Sequence, residues 1–200
     1  KILKKYLKGN SAENIVIDTH GGTNTHTVTT VNEKNEIIDI KSTPSSGMEV
    51  GEKSNDLVYG RDIEKYKSDE TRNQLSQTKQ TEIKALIEIG NCVSTGGNLI
   101  LMACNSGQYN DLGKNLADVV NNCINIFANG DYSKPMYQKL DRSGGKDNLA
   151  VSWTKTFNRN ISSESDQHYG NGWKKFSDDK KDPEVFKNLK LTKSGPKPKI

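Results

Sequence analysis

The sequence predicts an α/β fold, a three-layer sandwich with a mostly parallel sheet. Short apolar runs alternate along the chain with helical patterns of apolar residues, which is typical of strands alternating with covering helices. The run 98–103 is apolar on both faces, as in a central parallel strand. The 200 residues suffice for one domain. A hydrophobic content of 32% and a mean hydropathy of −0.81 predict long polar loops around a modest core.

The first third of the chain predicts a helix, a buried strand and a hairpin. Residues 1–7 form the short helix, and the β-branched run 15–18 forms a strand that ends just before His20. Alternating residues over 27–31 and 36–40, separated by a polar turn, predict a half-exposed hairpin.

Residues 42–80 are rich in Ser, Thr, Asn, Lys and Glu and contain only scattered apolar side chains. This composition predicts a long polar insertion loop, with at most a short helix near 61–66. Because exposed polar loops are easily cut, the segment is also a candidate site of proteolytic cleavage.

The central part of the chain alternates helices and strands. Apolar residues recur at intervals of three and four over 78–89 and again over 112–123, which predicts two amphipathic helices. Buried strands are predicted at 98–103 and 124–128, and a further strand at 150–157.

Charge divides the chain into a body and a tail. The net charge is +4, but residues 174–200 carry nine Lys against four acidic residues and no Arg. We therefore expect an α/β domain over 1–173 and a solvated basic tail over 174–200. A nucleic-acid-binding stripe usually contains Arg with interleaved aromatics, so nucleic acid is not an expected partner.

Cys92, Cys104 and Cys123 are an odd number of cysteines without C-x-x-C spacing, so neither a disulfide framework nor a thiolate zinc site is indicated. No apolar run reaches the roughly 18 residues of a membrane span, and no cofactor is expected. The chain opens on Lys, which indicates a mature form or part of a longer polypeptide.

His20 and Cys104 each follow a predicted strand, and reactive side chains in such sheets gather beyond the carboxyl ends of the strands. A thiolate is a nucleophile, and a nearby imidazole can lower the thiol pKa or protonate a leaving amine. The backbone N–H of Gly21 is suited to bind an oxyanion. A helix beginning after Ser106-Gly107 would direct its positive end toward Cys104.

Two segments together resemble a known family. An apolar strand with His-Gly over Asn14–Gly22, then an apolar strand with Ala-Cys-x-Ser-Gly and a helix over Asn98–Ala128, is similar to the caspase-like cysteine peptidases. This group includes caspases, legumain, gingipain, clostripain and the self-cleaving domains of bacterial toxins. The resemblance implies a caspase-haemoglobinase fold and a protein or peptide substrate. Members of the family often mature by cleavage, so the resemblance also makes the polar segment 42–80 a candidate site of self-processing. It makes Cys104 the nucleophile, His20 the general acid/base and the Gly21 N–H part of the oxyanion hole, with no metal.

The resemblance also places the pocket for the first substrate residue in loops that flank the nucleophile strand and follow the next strand. It implies these substrate-binding residues: Thr19, Ala103, Asp131 and Trp153. An acid such as Asp131 in the pocket would favour Lys or Arg in substrates, whereas Arg142 or Arg159 there would favour Asp.

Two alternatives remain open from the sequence. The chain could be a caspase-like domain that binds or scaffolds without cleaving. The stretch Asn14–Thr25 also resembles the opening of zinc-dependent N-acetylmuramoyl-alanine amidases, in which His20 would bind the metal and Glu33 or Glu36 would supply a carboxylate. The other histidines, His26 and His168, are expected to be solvated.

Overall fold

The structure is a computed structural model, and it describes residues 2–51, 56–130, 172–177, 182–186, 188–192 and 195–199. In chain order its elements are α1 (Ile2–Leu7), β1 (Ala12–Asp18), β2 (Gly21–Val31), β3 (Ile37–Glu49), β4 (Leu57–Tyr59), α2 (Gly60–Tyr66), α3 (Asp69–Arg72), α4 (Gln77–Gly90), β5 (Val93–Met102), α5 (Asp111–Val119), β6 (Asn125–Asn129), β7 (Trp173–Phe176), β8 (Glu184–Phe186), β9 (Asn188–Thr192) and β10 (Gly195–Lys199). The strand predicted at 150–157 lies outside the described residues. None of the described helices has the length and apolarity needed to cross a bilayer.

The main sheet has five strands in the order β1-β5-β6-β7-β8. β1 and β6 both run parallel to β5, whereas β7 is antiparallel to β6 and β8 is antiparallel to β7. The fold class is therefore α/β, as predicted, but the sheet is mixed rather than mostly parallel. The antiparallel strands are β7 and β8, and they come from the end of the chain, where we expected the domain to end at 173 and a tail to follow.

The alternation of side chains along β5 builds a core on each face of the main sheet. Leu99, Leu101 and Ala103 belong to the cluster that includes the buried side chains of α4 and α5. Ile100 and Met102 belong to a second cluster with Phe127, Trp173 and Leu189. Because successive strand residues point to opposite faces, the two clusters cover the two sides of the sheet.

The predicted polar insertion loop at 42–80 is wrong for most of its length. β3 continues to Glu49 with its last residues buried, and β4, α2, α3 and most of the first turn of α4 follow within the segment. Serine is the N-cap residue of two of these helices. The Ser68 hydroxyl accepts a hydrogen bond from the Thr71 N–H, and the Ser76 hydroxyl accepts one from the Lys79 N–H. The short helix expected near 61–66 is confirmed as α2.

The predicted boundary at residues 173 and 174 falls inside β7, so the expectation of a solvated tail from 174 is wrong for the described residues. β7 and β8 complete the main sheet, and β9 pairs with β10 as an antiparallel hairpin. Leu189 of β9 is only 1% exposed and packs in the second cluster. Apolar side chains spaced between lysines therefore attach this basic segment to the sheet.

The predicted hairpin is confirmed and is longer than expected. β2 and β3 pair antiparallel from Gly21 and Met48 to Val31 and Ile37. In the turn, the Asn32 side-chain oxygen accepts hydrogen bonds from two backbone N–H groups. Residues 23–44 are exposed apart from Asn32. Among the described residues, the buried residues of this hairpin lie at its base, at 45–48.

A buried polar contact attaches the hairpin base to α5. Ser45 and Ser46 are fully buried at the end of β3. The Ser45 hydroxyl and the Ser46 N–H both donate to the carboxylate of Asp111, the latter over 3.1 Å. Ser45 also accepts a hydrogen bond from the Arg61 N–H at 3.2 Å, so the same hydroxyl fixes the start of α2. A carboxylate in the first turn of a helix is favoured by the helix dipole.

Replacing Asp111 by Ala is expected to lower the free energy of unfolding by about 2–4 kcal/mol, because it leaves two fully buried donors without this acceptor. Asp118→Ala on the same helix is the matched control. Its carboxylate is 41% exposed and pairs with Lys67, so its loss is expected to cost less than about 1 kcal/mol. Urea denaturation measures both, and equal losses would contradict the assignment.

Candidate active site

The structure places His20 and Cys104 at the same edge of the sheet, on adjacent strands. β1 and β5 are parallel neighbours, and their last paired residues are Asp18 and Met102. Both candidate residues lie two positions beyond that pair, and the Thr19 N–H extends the ladder by donating to the Met102 carbonyl at 3.3 Å. His20 is exposed and Cys104 is a half-buried thiol. The backbone therefore brings both residues to one edge of the sheet, as predicted for the ends of parallel strands.

Gly21 lies directly against the backbone of Cys104. A Cβ at this position would overlap the Cys104 carbonyl oxygen and would lie 2.9 Å from the Cys104 nitrogen and 2.8 Å from the Ala103 Cβ. Real Cβ atoms essentially never come so close to backbone atoms. Glycine is thus required here by the close approach of two chain segments.

The pairing of the hairpin base orients the Gly21 N–H. In an antiparallel ladder, hydrogen-bonded pairs alternate with non-hydrogen-bonded pairs. The Glu49 N–H donates to the His20 carbonyl at 2.8 Å, so His20 and Glu49 form a hydrogen-bonded pair. The next pair, Gly21 with Met48, is then a non-hydrogen-bonded pair, in which both N–H groups point away from the partner strand. The Gly21 N–H is therefore directed away from β3, as an oxyanion donor requires.

Cys104 is the second residue of a tight loop between β5 and α5, which we call the Cys104 loop (residues 103–110). Asn105 has a left-handed backbone with φ of 56°, a conformation that asparagine tolerates better than most residues. The Ser106 hydroxyl donates to the Leu101 carbonyl at 3.3 Å and accepts from the Asn129 N–H at 3.2 Å. Ser106 therefore holds the loop to the ends of both β5 and β6.

The second half of the Cys104 loop is fixed by two more distant segments. The Ser46 hydroxyl accepts a hydrogen bond from the Tyr109 N–H at 2.8 Å. The Lys174 ammonium donates to the Gln108 carbonyl at 3.0 Å and to the Asn110 side-chain oxygen at 2.9 Å. Burial lowers the pKa of Lys174. Sequence reasoning missed both anchors, because Ser46 had been assigned to the predicted loop and Lys174 to the predicted tail.

The helix after Cys104 starts at Asp111, one residue before the pattern predicted at 112–123. α5 begins at Asp111, so the residues directly after Ser106-Gly107 form turns rather than a helix. The acidic group in the first turn of α5 is Asp111, whose carboxylate is held by the serines of β3. The observed start is therefore close to the predicted one, and turns separate Cys104 from the helix.

The substrate-binding residues that the resemblance implied are only partly brought to the site. Thr19 is half-buried in the short connection from β1 to β2, and its hydroxyl donates to the Glu49 carbonyl at 3.2 Å. Ala103 is fully buried in the core cluster, so its side chain is not available to line a substrate pocket. Asp131 and Trp153 lie outside the described residues.

The residues of the zinc-amidase alternative are spread over the hairpin. Glu33 and Glu36 lie at the β2–β3 turn, at the far end of the strands from His20, and Glu36 accepts a hydrogen bond from Asn32 at 2.8 Å. His26 is exposed on β2. Within the described ranges, no group of three His, Cys, Asp or Glu side chains is arranged to hold a metal ion.

Comparison of the chain with protein-family models, with curated proteins and with solved structures found no significant match. The site is therefore interpreted from its own geometry and from the chemistry of its residues.

Gly21→Ala is expected to lower the free energy of unfolding by about 1–3 kcal/mol, because the new methyl group must displace the backbone of Cys104. Gly22→Ala is the matched control. A Cβ there meets only the flexible Leu57 Cδ1, at 3.3 Å, and we expect a change below about 1 kcal/mol. Chemical denaturation of both variants tests the close approach, and a Gly21→Ala variant as stable as Gly22→Ala would disprove it.

Proposed function

We propose that the protein is a cysteine endopeptidase that cleaves peptide bonds with Cys104 as nucleophile and His20 as general acid/base. The observation that carries the proposal is the parallel pairing of β1 with β5, which brings the two residues to adjacent strand ends. Gly21, packed on the Cys104 backbone with its N–H directed away from β3, supports the third role, that of oxyanion donor.

In the proposed reaction, His20 takes the proton of the Cys104 thiol and the sulfur attacks the carbonyl carbon of the substrate. The carbonyl oxygen gains negative charge, which the backbone N–H groups of Gly21 and Cys104 stabilise. His20 then protonates the leaving amine, and the C–N bond breaks to leave a thioester on Cys104. Water, deprotonated by His20, attacks the thioester; the carboxylic acid product leaves and the thiol is restored.

The finer fold assignment is part of the same proposal. We propose a three-layer, caspase-haemoglobinase-like sandwich around the mixed sheet. It is supported by the two core clusters, one on the side of α4 and α5 and the other around Trp173 and Leu189. On the second face, the described cover comes from Leu189 of β9 rather than from a helix.

The test is incubation of the protein with a diverse peptide pool, followed by mass spectrometry of the products. We expect cleavage that iodoacetamide blocks and EDTA leaves unchanged. Cys104→Ala is expected to reduce cleavage to background, and His20→Ala to reduce kcat/KM by about 10²–10⁴-fold. Cys123→Ala is the matched control, because it removes an exposed thiol away from the site and is expected to leave cleavage unchanged.

Each other outcome selects a different function. Activity blocked by EDTA rather than by thiol alkylation would support the zinc-dependent amidase. No cleavage under any condition would support a caspase-like domain that binds without cleaving. Cleavage that persists in Cys104→Ala would remove the proposed nucleophile.

We also propose self-processing of the chain. Most of the described residues within 42–80 lie in strands and helices, whose backbone hydrogen bonds must break before the chain can enter an active site, so we expect cleavage outside 42–51 and 56–80. Intact mass spectrometry after incubation should show fragments for the unmodified chain and one full-length species for Cys104→Ala. Identical single species from both would remove self-processing.

A further inference from the structure

Lys174 has an unusual environment for a lysine. It lies on β7 opposite Ala128 of β6 and is 7% exposed. Burial of an ammonium group is costly unless its N–H groups are hydrogen-bonded, and here burial lowers the pKa of Lys174. A lysine is retained at such a position when its hydrogen bonds offset that cost.

Both described hydrogen bonds of the Lys174 ammonium go to one segment, the second half of the Cys104 loop. The acceptors are the Gln108 carbonyl at 3.0 Å and the Asn110 side-chain oxygen at 2.9 Å. Both acceptors are neutral, so the contact is a charge-assisted hydrogen bond rather than an ion pair. Such bonds are roughly twice as strong as neutral ones.

The neighbouring residues on β7 strengthen the link between this strand and α5. A Cβ at Gly113 of α5 would overlap the ring of Phe176, so the helix lies directly on the end of β7. Lys174 and Phe176 are two positions apart and therefore point to the same face of the strand. One side of β7 thus contacts both the first turn of α5 and the loop that precedes it.

We propose that Lys174 is a positioning residue that fixes the Cys104 loop through its buried ammonium group. The proposal rests on the proposed function, in which Cys104 is the nucleophile. Ser106 holds the first half of the loop to β5 and β6, and Lys174 holds the second half to β7. A nucleophile displaced by about 1 Å can lose about 10² in rate, so a fixed loop matters for turnover more than for substrate binding.

Two variants break the contact from its two sides. Lys174→Met removes the ammonium and keeps the length of the side chain. Asn110→Ala removes one acceptor on the exposed side of the contact, and Asn110 makes no side-chain capping hydrogen bond to α5, so this variant is expected to fold. Lys175→Met is the matched control on the same strand, and its ammonium lies 3.9 Å from Glu184. Lys174→Arg retains the charge and the donors.

The first measurement is hydrogen exchange of the peptide that covers residues 104–112, followed by mass spectrometry. We expect Lys174→Met to raise the exchange rate of these amides at least tenfold, Asn110→Ala to raise it by a smaller factor, and Lys175→Met to leave it unchanged. The second measurement is cleavage of the best peptide from the pool. We expect kcat to fall at least tenfold in Lys174→Met with KM within threefold of the unmodified protein, and Lys174→Arg to recover part of that loss.

Unchanged exchange in both Lys174→Met and Asn110→Ala would overturn the proposal. Equal losses of kcat in Lys174→Met and Lys175→Met would also overturn it. If Lys174→Met unfolds, Asn110→Ala decides the outcome by the same two measurements. If the unmodified protein cleaves no peptide while exchange in the loop still rises in the two variants, the peptidase proposal fails and the role of Lys174 in fixing the loop is supported.

Discussion

The parallel pairing of β1 with β5 is the constraint on which the candidate site depends. Residues that are far apart in the chain become neighbours because the last pair of that ladder, Asp18 with Met102, lies two positions before both His20 and Cys104. The register of a strand is strongly specified where its faces are buried, because a slip by one residue would exchange the buried and exposed sets. The apolar faces of β5 therefore determine the position of the site as well as the core.

The Cys104 loop is held by hydrogen bonds from several strands rather than by apolar packing alone. Ser106 connects it to β5 and β6, Ser46 connects it to β3, and Lys174 connects it to β7. A buried polar network stabilises one arrangement when its members are satisfied and is costly when they are not. The described hydrogen bonds therefore restrain the loop at both ends, which is what the role proposed for Cys104 requires.

The sequence predicted the elements whose signals are local. β1, β5, α4, α5 and the hairpin each contain a repeating pattern of apolar or β-branched residues, and each was found close to its predicted position. The placement of His20 and Cys104 followed from a general rule on parallel strands. These predictions required no knowledge of which distant residues would meet.

The missed features depend on partners elsewhere in the chain. The sequence around Ser45 predicts a loop, because a serine hydroxyl is buried when a partner accepts its hydrogen bond. That partner, Asp111, lies far away in the chain. Trp173–Phe176 contains two aromatics around two lysines, and this pattern does not indicate that the segment pairs with β6 in the main sheet.

The exposed part of the β2–β3 hairpin, residues 23–44, lies apart from the core that supports the candidate site. Neither core cluster of the described residues includes a side chain from 23–44. Within the described residues, changes of length or sequence near the turn of this hairpin therefore remove no side chain from either core cluster. Among homologous proteins, the sequence of this hairpin is expected to diverge fastest. Alignments that weight it equally with β1 and β5 will underestimate how closely such proteins are related.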